Sequence, residues 1–192
     1  MRIKYNAPVV LTFSILSTVI LFLNEFLGGS LTPFFSVGEG LVSGSILYYP
    51  TVFTHVLGHA NLEHLLGNMT FVLLLGPIIE EKYGSINTLM MFFITAVLSG
   101  LLNLFLFNTG LMGASGVVFM LILLVSFTNS RGGEIPITFV LVAILFIGKE
   151  FMNGLEADNI SQFAHIIGGV IGSIFGFSGI FKKKNYNSDY GN

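Results

Sequence analysis

The stretch LMGASGVVFMLILLVSFT, residues 111–128, decides how this chain is read. It carries no charge over eighteen positions. Its small residues, Gly113, Ala114, Ser115 and Gly116, gather at one end, and an unbroken apolar run follows. A run of that length and character predicts a helix that crosses a bilayer.

Working outward, five more such runs complete a series of six expected spans at 8–28, 60–79, 86–107, 111–128, 135–152 and 161–181. The composition agrees. With 53% hydrophobic residues, 9% charged residues and a mean hydropathy of +0.85 over 192 residues, the chain lacks the polar surface a soluble globule requires. The fold class expected is all-α, a polytopic membrane protein with a six-helix bundle over 1–181 and a polar, lysine-rich tail over 182–192. No internal repeat or second domain is evident. Arg2 and Lys4 ahead of the first run resemble a signal peptide, but no small-residue cleavage site follows, so a signal anchor is expected. The net charge is −2 and the basic residues lie at segment ends, which gives nucleic acid no footprint. Cysteine is absent, so disulfides and thiolate metal sites are excluded.

Basic residues orient the bundle. With a cytoplasmic N-terminus, the inner segments hold Arg2, Lys4, Lys82, Arg131, Lys182, Lys183 and Lys184, and the outer segments hold only Lys149. The positive-inside rule then predicts both termini in the cytoplasm. Spans two, four and six would begin at the outer face. Ser115, His165 and the pair His64 and Asn68 would reach similar depths on three helices around one cavity. Residues 29–58 form a long outer connection with Phe34, Phe35, Leu41, Ile46, Leu47, Tyr48 and Tyr49 and no Lys or Arg, which suits a structured interfacial loop.

A serine becomes nucleophilic when a base takes its proton, and an imidazole in hydrocarbon is costly enough to mark function. Ser115 and His165 form such a pair. Taken alone, Gly113-Ala114-Ser115-Gly116 fits a small-residue patch for helix packing better than a nucleophile site. It is not the Gly-x-Ser-x-Gly elbow of soluble hydrolases. Glycines around Ser115 leave backbone N–H groups accessible to an oxyanion. On the last span, Gly168, Gly169, Gly172 and Gly176 share the face of His165, so that helix can approach span four closely. His64 and Asn68, four apart, can donate from one helix face to a developing negative oxygen, or join in a polar interhelical bond. His55 and His59 either hold the outer loop or line the cavity mouth. His55, His59 and Glu63 fall at i, i+4 and i+8, yet no His-Glu-x-x-His signature is present, and no metal or cofactor is expected.

These residues resemble the rhomboid intramembrane serine proteases. The string from Phe53 to His64 with Asn68 is similar to that family's first loop and second helix. Gly113-Ala114-Ser115-Gly116 with Val117, Val118 and Phe119 resembles its nucleophile helix, and Ala164-His165-Ile166-Ile167-Gly168 its base helix. The resemblance covers nearly the whole chain. It implies Ser115 as nucleophile, His165 as general base, and His64, Asn68 and the Ser115 backbone N–H as the oxyanion hole, with His59, Gly113 and Phe119 as accessory groups. It also implies that Glu80 is structural, that span five and residues 149–160 act as gate and cap, and that cleavage follows a small residue. Two positions depart from the family pattern. Pro50-Thr51 stands where many members have Trp-Arg, and Phe119 stands where Tyr is frequent.

The activity expected is that of a serine endopeptidase in a multi-pass protein of the bacterial cell membrane, cutting transmembrane protein substrates near the outer face. Glu156 and Asp158 fall in the outer loop, so a dyad is expected in place of a triad. A non-catalytic relative that binds membrane helices is one alternative, although such proteins typically lose the serine or histidine. A small transporter using His55, His59 and His64 is the other, but it would normally spread polar groups across the membrane, with Asn103 and Asn153 the nearest further candidates.

Overall fold

In the computed structural model, residues 3–38, 46, 49–106, 110–127, 134–154 and 159–181 are described. The elements are α1 (Pro8–Phe26), a short α2 (Thr51–Thr54), α3 (Leu62–Tyr83), α4 (Ser85–Leu106), α5 (Ser115–Ser126), α6 (Ile137–Gly154) and α7 (Asn159–Ser178). Single 3₁₀ turns occur at Thr32–Phe34 and His55–Leu57. No strand forms among the described residues; Val37 and Leu111 pair only as an isolated antiparallel bridge.

Each of the six expected runs contains a helix. Among the described residues three of these, α1, α3 and α4, are long and apolar enough to cross a membrane, with α3 the least apolar. One expectation is corrected. The run at 111–128 is helical only from Ser115, and twelve residues at 1.5 Å each reach about 18 Å. Leu111 and Val37 exchange backbone hydrogen bonds of 2.8 and 3.0 Å, which holds the preceding segment out of the helix. Ser115 is therefore the first helical residue, not one several positions inside.

Local chemistry sets the helix ends. Pro8 occupies the first turn of α1, where its missing N–H costs nothing. The next two N–H groups, of Val9 and Val10, donate to the two carboxylate oxygens of Glu80, each at 3.0 Å. Glu80 is buried on α3, so its charge meets the positive end of α1. Asn61 caps α3, its side chain accepting from His64 N–H at 2.8 Å. Gly84, at φ +81°, ends α3 in a conformation glycine adopts without strain, and α4 starts at once.

At the centre lies α5, whose Val117, Val118, Met120, Leu121, Leu123 and Leu124 are buried, as befits a helix apolar on every side. Its closest neighbour is α7. A side chain added at Gly168 would strike the backbone of Gly116, and one at Gly172 the backbone of Met120. The glycine face expected on the last span is thus the seam between α5 and α7.

The connection from α1 to α3 is ordered in its described parts. Asn24 accepts from Leu31 N–H at 2.9 Å, and Thr54 Oγ1 donates to Phe34 O at 2.6 Å. Where Trp-Arg is missing, the anchor is Val52, whose carbonyl lies against Gly100 of α4 too closely for any side chain there. Leu41, Leu47 and Tyr48 of this connection, Arg2, Arg131, Glu156, Asp158, the side chains of Lys149 and Asn153, and the tail 182–192 lie outside the described residues.

Candidate active site

Three helices, α3, α5 and α7, and the first loop carry the expected site residues. Gly113 precedes α5 at φ +126°, a backbone conformation that disfavours any side chain. Its N–H donates to His55 O at 2.9 Å, which ties the approach to Ser115 to the first loop. A Cβ on Gly113 would sit 2.8 Å from His64 Nε2 and 3.7 Å from Asn68 Nδ2. The two α3 side chains, one turn apart, thus converge on the backbone just before the serine. Asn68 Nδ2 is buried and has no hydrogen-bond partner, so its donor capacity is unspent.

Ser115 stands at the first position of α5, after Ala114, which provides no side-chain cap. The N–H groups of a helix's first turn have no partner within the helix and carry its positive end. Ser115 itself is half-buried. One turn on, Phe119 lies on the same face of α5 as Ser115. Its ring stacks on that of His165, with centroids 4.2 Å apart and planes within 5°. The main chain agrees, since Ala164 O is 3.4 Å from where a side chain on Gly116 would begin. His165 therefore lies over the Ser115 face of α5, held there by the glycine seam.

The remaining histidines differ in environment. His55 is fully buried, with Nδ1 3.2 Å from Thr51 O and Nε2 3.4 Å from Ser99 Oγ. Ser99 in turn lies beneath Gly116, 3.9 Å from the position of its absent Cβ. His55 thus serves the loop as an anchor. Burial pushes its pKa down to about 4 despite the hydrogen bonds it makes. His59 is also buried and lowered to about 4, first by burial and then by the neighbouring imidazole of His64. Its ring meets His64 edge-on at 5.1 Å. The register i, i+4, i+8 does not place His55, His59 and Glu63 on one face, because the chain turns extended at Gly58 and Glu63 points to solvent. Among the described residues, no three His, Asp or Glu side chains gather as a metal site would need.

Sequence reasoning overlooked Ser99 and Gly100, whose only signal was a small pair within an apolar run. It also overlooked Asn61, although an Asn just ahead of an apolar periodic segment is a helix-start signature.

Comparison with known proteins bears directly on this arrangement. A protein-family model described as the rhomboid domain matches residues 48–181, more than half of the chain and every site residue named above. The chain belongs to the rhomboid family. Over 135 residues it is 27% identical to the rhomboid protease GlpG of Haemophilus influenzae, covering 69% of this chain and 70% of that protein. It is 33% identical over 132 residues to Rhomboid-related protein 1 of Caenorhabditis elegans, covering 62% of this chain and 36% of that one. The rhomboid protease GlpG of Pectobacterium atrosepticum is 27% identical over 137 residues, covering 69% of this chain and 49% of its own length. This rhomboid is a helical, multi-pass membrane protein.

Proposed function

We propose that this rhomboid is an intramembrane serine endopeptidase of six spans that cuts transmembrane protein substrates near the outer face of a bacterial cell membrane, with both termini cytoplasmic. The observation that carries the reading is the convergence of His64 Nε2 and Asn68 Nδ2 on Gly113, two residues before a serine at a helix start, with His165 stacked one turn further on. In this scheme Ser115 Oγ attacks the scissile carbonyl carbon and its proton passes to His165. The new oxyanion accepts from His64, Asn68 and the Ser115 backbone N–H. Collapse breaks the C–N bond as His165 returns the proton to the leaving amine, and water then hydrolyses the acyl-enzyme with His165 again as base. Phe119 steadies the imidazolium in place of an orienting carboxylate. The seven-to-one split of basic residues supports the orientation. By family analogy, α6 and residues 149–160 form the gate and cap.

A helical peptide bond is shielded by its own hydrogen bonds, so the substrate must unwind locally before Ser115 reaches it. Glycine or proline near the outer end of a substrate span assists, and a small residue precedes the cut, as the family resemblance implies. The deciding experiment is covalent labelling of the purified protein with a serine-reactive phosphonate. Label is expected on Ser115 and absent from Ser115→Ala. His165→Ala should lose turnover as fully as Ser115→Ala, with the double variant little worse, because the pair acts as a unit. Wild-type turnover in either single variant would overturn the mechanism, and label on neither protein would favour a non-catalytic binder of membrane helices.

A further inference from the structure

An imidazole that donates to an oxyanion must carry its proton on the nitrogen that faces it, and a neutral imidazole has only one proton to place. The turn immediately before α3 bears on that placement in three ways. Ala60 N–H donates to His64 Nδ1 at 3.5 Å, so Nδ1 presents its lone pair and the proton resides on Nε2, the nitrogen beside Gly113. Asn61 Oδ1 holds His64 N–H at 2.8 Å and fixes the backbone that carries the ring. His59, 2% exposed, packs its ring against the ring of His64 at 66° between planes and blocks rotation on that side.

The neighbouring histidines have the opposite arrangement. His59 Nδ1 lies 3.3 Å from Leu57 O, and His55 Nδ1 lies 3.2 Å from Thr51 O. A carbonyl only accepts, so both rings carry the proton on Nδ1. For His59 this leaves Nε2 bare, which matches its buried position without a hydrogen-bond partner. If His64 shared that tautomer, a lone pair would face the developing negative charge and repel it.

We propose that His59-Ala60-Asn61 is a positioning turn that selects the Nε2–H tautomer of His64, and that His64 is thereby the odd one among the three histidines of this region. The inference rests on reading His64 as an oxyanion donor. Its test is nitrogen NMR on the full chain in detergent at neutral pH, with ¹⁵N in the histidine rings and each signal assigned by a single His→Gln substitution. Protonated Nε2 at His64 and protonated Nδ1 at His55 and His59 are expected. A His64 protonated on Nδ1, or an even mixture, would overturn the proposal.

Two variants separate positioning from mere packing. Ala60→Pro deletes the donor and should convert His64 to mixed tautomers, with kcat down about 10-fold and KM unchanged, short of the ~10²–10³-fold expected when a donor is removed outright. His59→Phe keeps a ring against His64 and should retain the Nε2–H signal of His64; a mixed signal there would show that the His59 imidazole itself, and not its packing, takes part in the selection. An unaltered His64 spectrum in a folded Ala60→Pro protein would assign the tautomer to something other than this turn; if that variant does not fold, the wild-type spectrum decides alone. The two failures can be told apart. A Ser115 that takes no phosphonate while His64 shows Nε2–H would sink the activity and leave the tautomer standing, and labelled Ser115 with Nδ1–H at His64 would do the reverse.

Discussion

Helices α5 and α6 follow one another in the chain yet are held in opposite ways. Along α5 seven of the twelve residues are buried and none is exposed, and α7 lies so close that a side chain at Gly168 or Gly172 would strike the α5 backbone. Along α6 no described side chain is fully buried, and Ile137, Leu141, Ile144 and Leu145 are more than half exposed. Its visible attachment is Phe139, whose ring lies 4.2 Å from Phe127 of the chain just after α5 and 5.4 Å from Phe177 of α7. Close backbone packing gives a fixed geometry, since a jigsaw interface has few alternative arrangements. A helix resting on one side, with apolar side chains that lipid solvates as well as protein does, is held weakly. The two helices thus set a close backbone seam that carries Ser115 and His165 against a helix whose described side chains are largely exposed.

The most damaging way to break the seam is Gly168→Val. Its Cβ would overlap the backbone of Gly116, and a backbone cannot rotate aside as a side chain can. Overpacking of this kind costs about 1–3 kcal/mol where side chains adjust and more where they cannot. Turnover should fall below detection, with a clear drop in the thermal midpoint in detergent. A folded variant with normal turnover would mean that α7 can retreat from α5 without moving His165.

At the outer end of the seam, Gly113→Ala carries two penalties. Its φ of +126° is strained for alanine by roughly 1–3 kcal/mol, and the new methyl would meet the imidazole of His64. We expect turnover to fall by at least about 10²-fold, comparable with Asn68→Ala, which removes a single donor. The two should differ in stability, because Asn68→Ala deletes a buried group that has no hydrogen-bond partner to lose. Calorimetry alongside kcat separates them. Equal stability in both variants would show that the strain at Gly113 is relaxed elsewhere.

Much of this contrast was legible in the sequence, for reasons that differ by element. Helix positions followed from run length, and the four-residue spacing of His64 and Asn68 foretold one shared face. The glycines after His165 foretold the seam. Hydropathy did not reveal that α5 starts at Ser115, because Leu111 and Met112 are as apolar in an extended segment as in a helix, and the pairing of Leu111 with Val37 is a tertiary event. Nor was the anchor of the first loop visible. It rests on Val52 against Gly100 and on His55 beside Ser99, contacts between segments more than forty residues apart that leave no local pattern.

His55 makes that anchor sensitive to acid. Its pKa falls from about 6.5 unfolded to about 4 folded, so the unfolded chain binds the extra proton first. The stabilisation is complete above the unfolded value and is lost as pH drops through 6.5 towards 4, on the order of 3 kcal/mol for the full shift. His59, lowered for the same first reason, adds in the same direction. Wild-type protein should therefore lose thermal stability between pH 6.5 and 4, and His55→Gln should show a shallower decline from a lower starting midpoint. An identical pH slope in the variant would remove His55 from the account.

The smallest effects belong to α6, and they test the weak side of the comparison. Phe139 is half-buried in an aromatic group with Phe127 and Phe177, so Phe139→Ala forfeits part of its burial and its ring contacts, about 1–2 kcal/mol. Ile144, 62% exposed, faces outward, where a shorter side chain is replaced by lipid, and Ile144→Ala should stay within about 0.5 kcal/mol of wild type. Neither change touches Ser115, His165 or the glycines between their helices, so phosphonate labelling of Ser115 should proceed at close to the wild-type rate in both. If Ile144→Ala destabilised the protein as much as Phe139→Ala, α6 would be gripped along its length and the contrast with α5 would fail. If Phe139→Ala slowed labelling as strongly as a change in the seam, the aromatic group would be part of what holds α5 against α7, and the two helices would have to be treated as one unit.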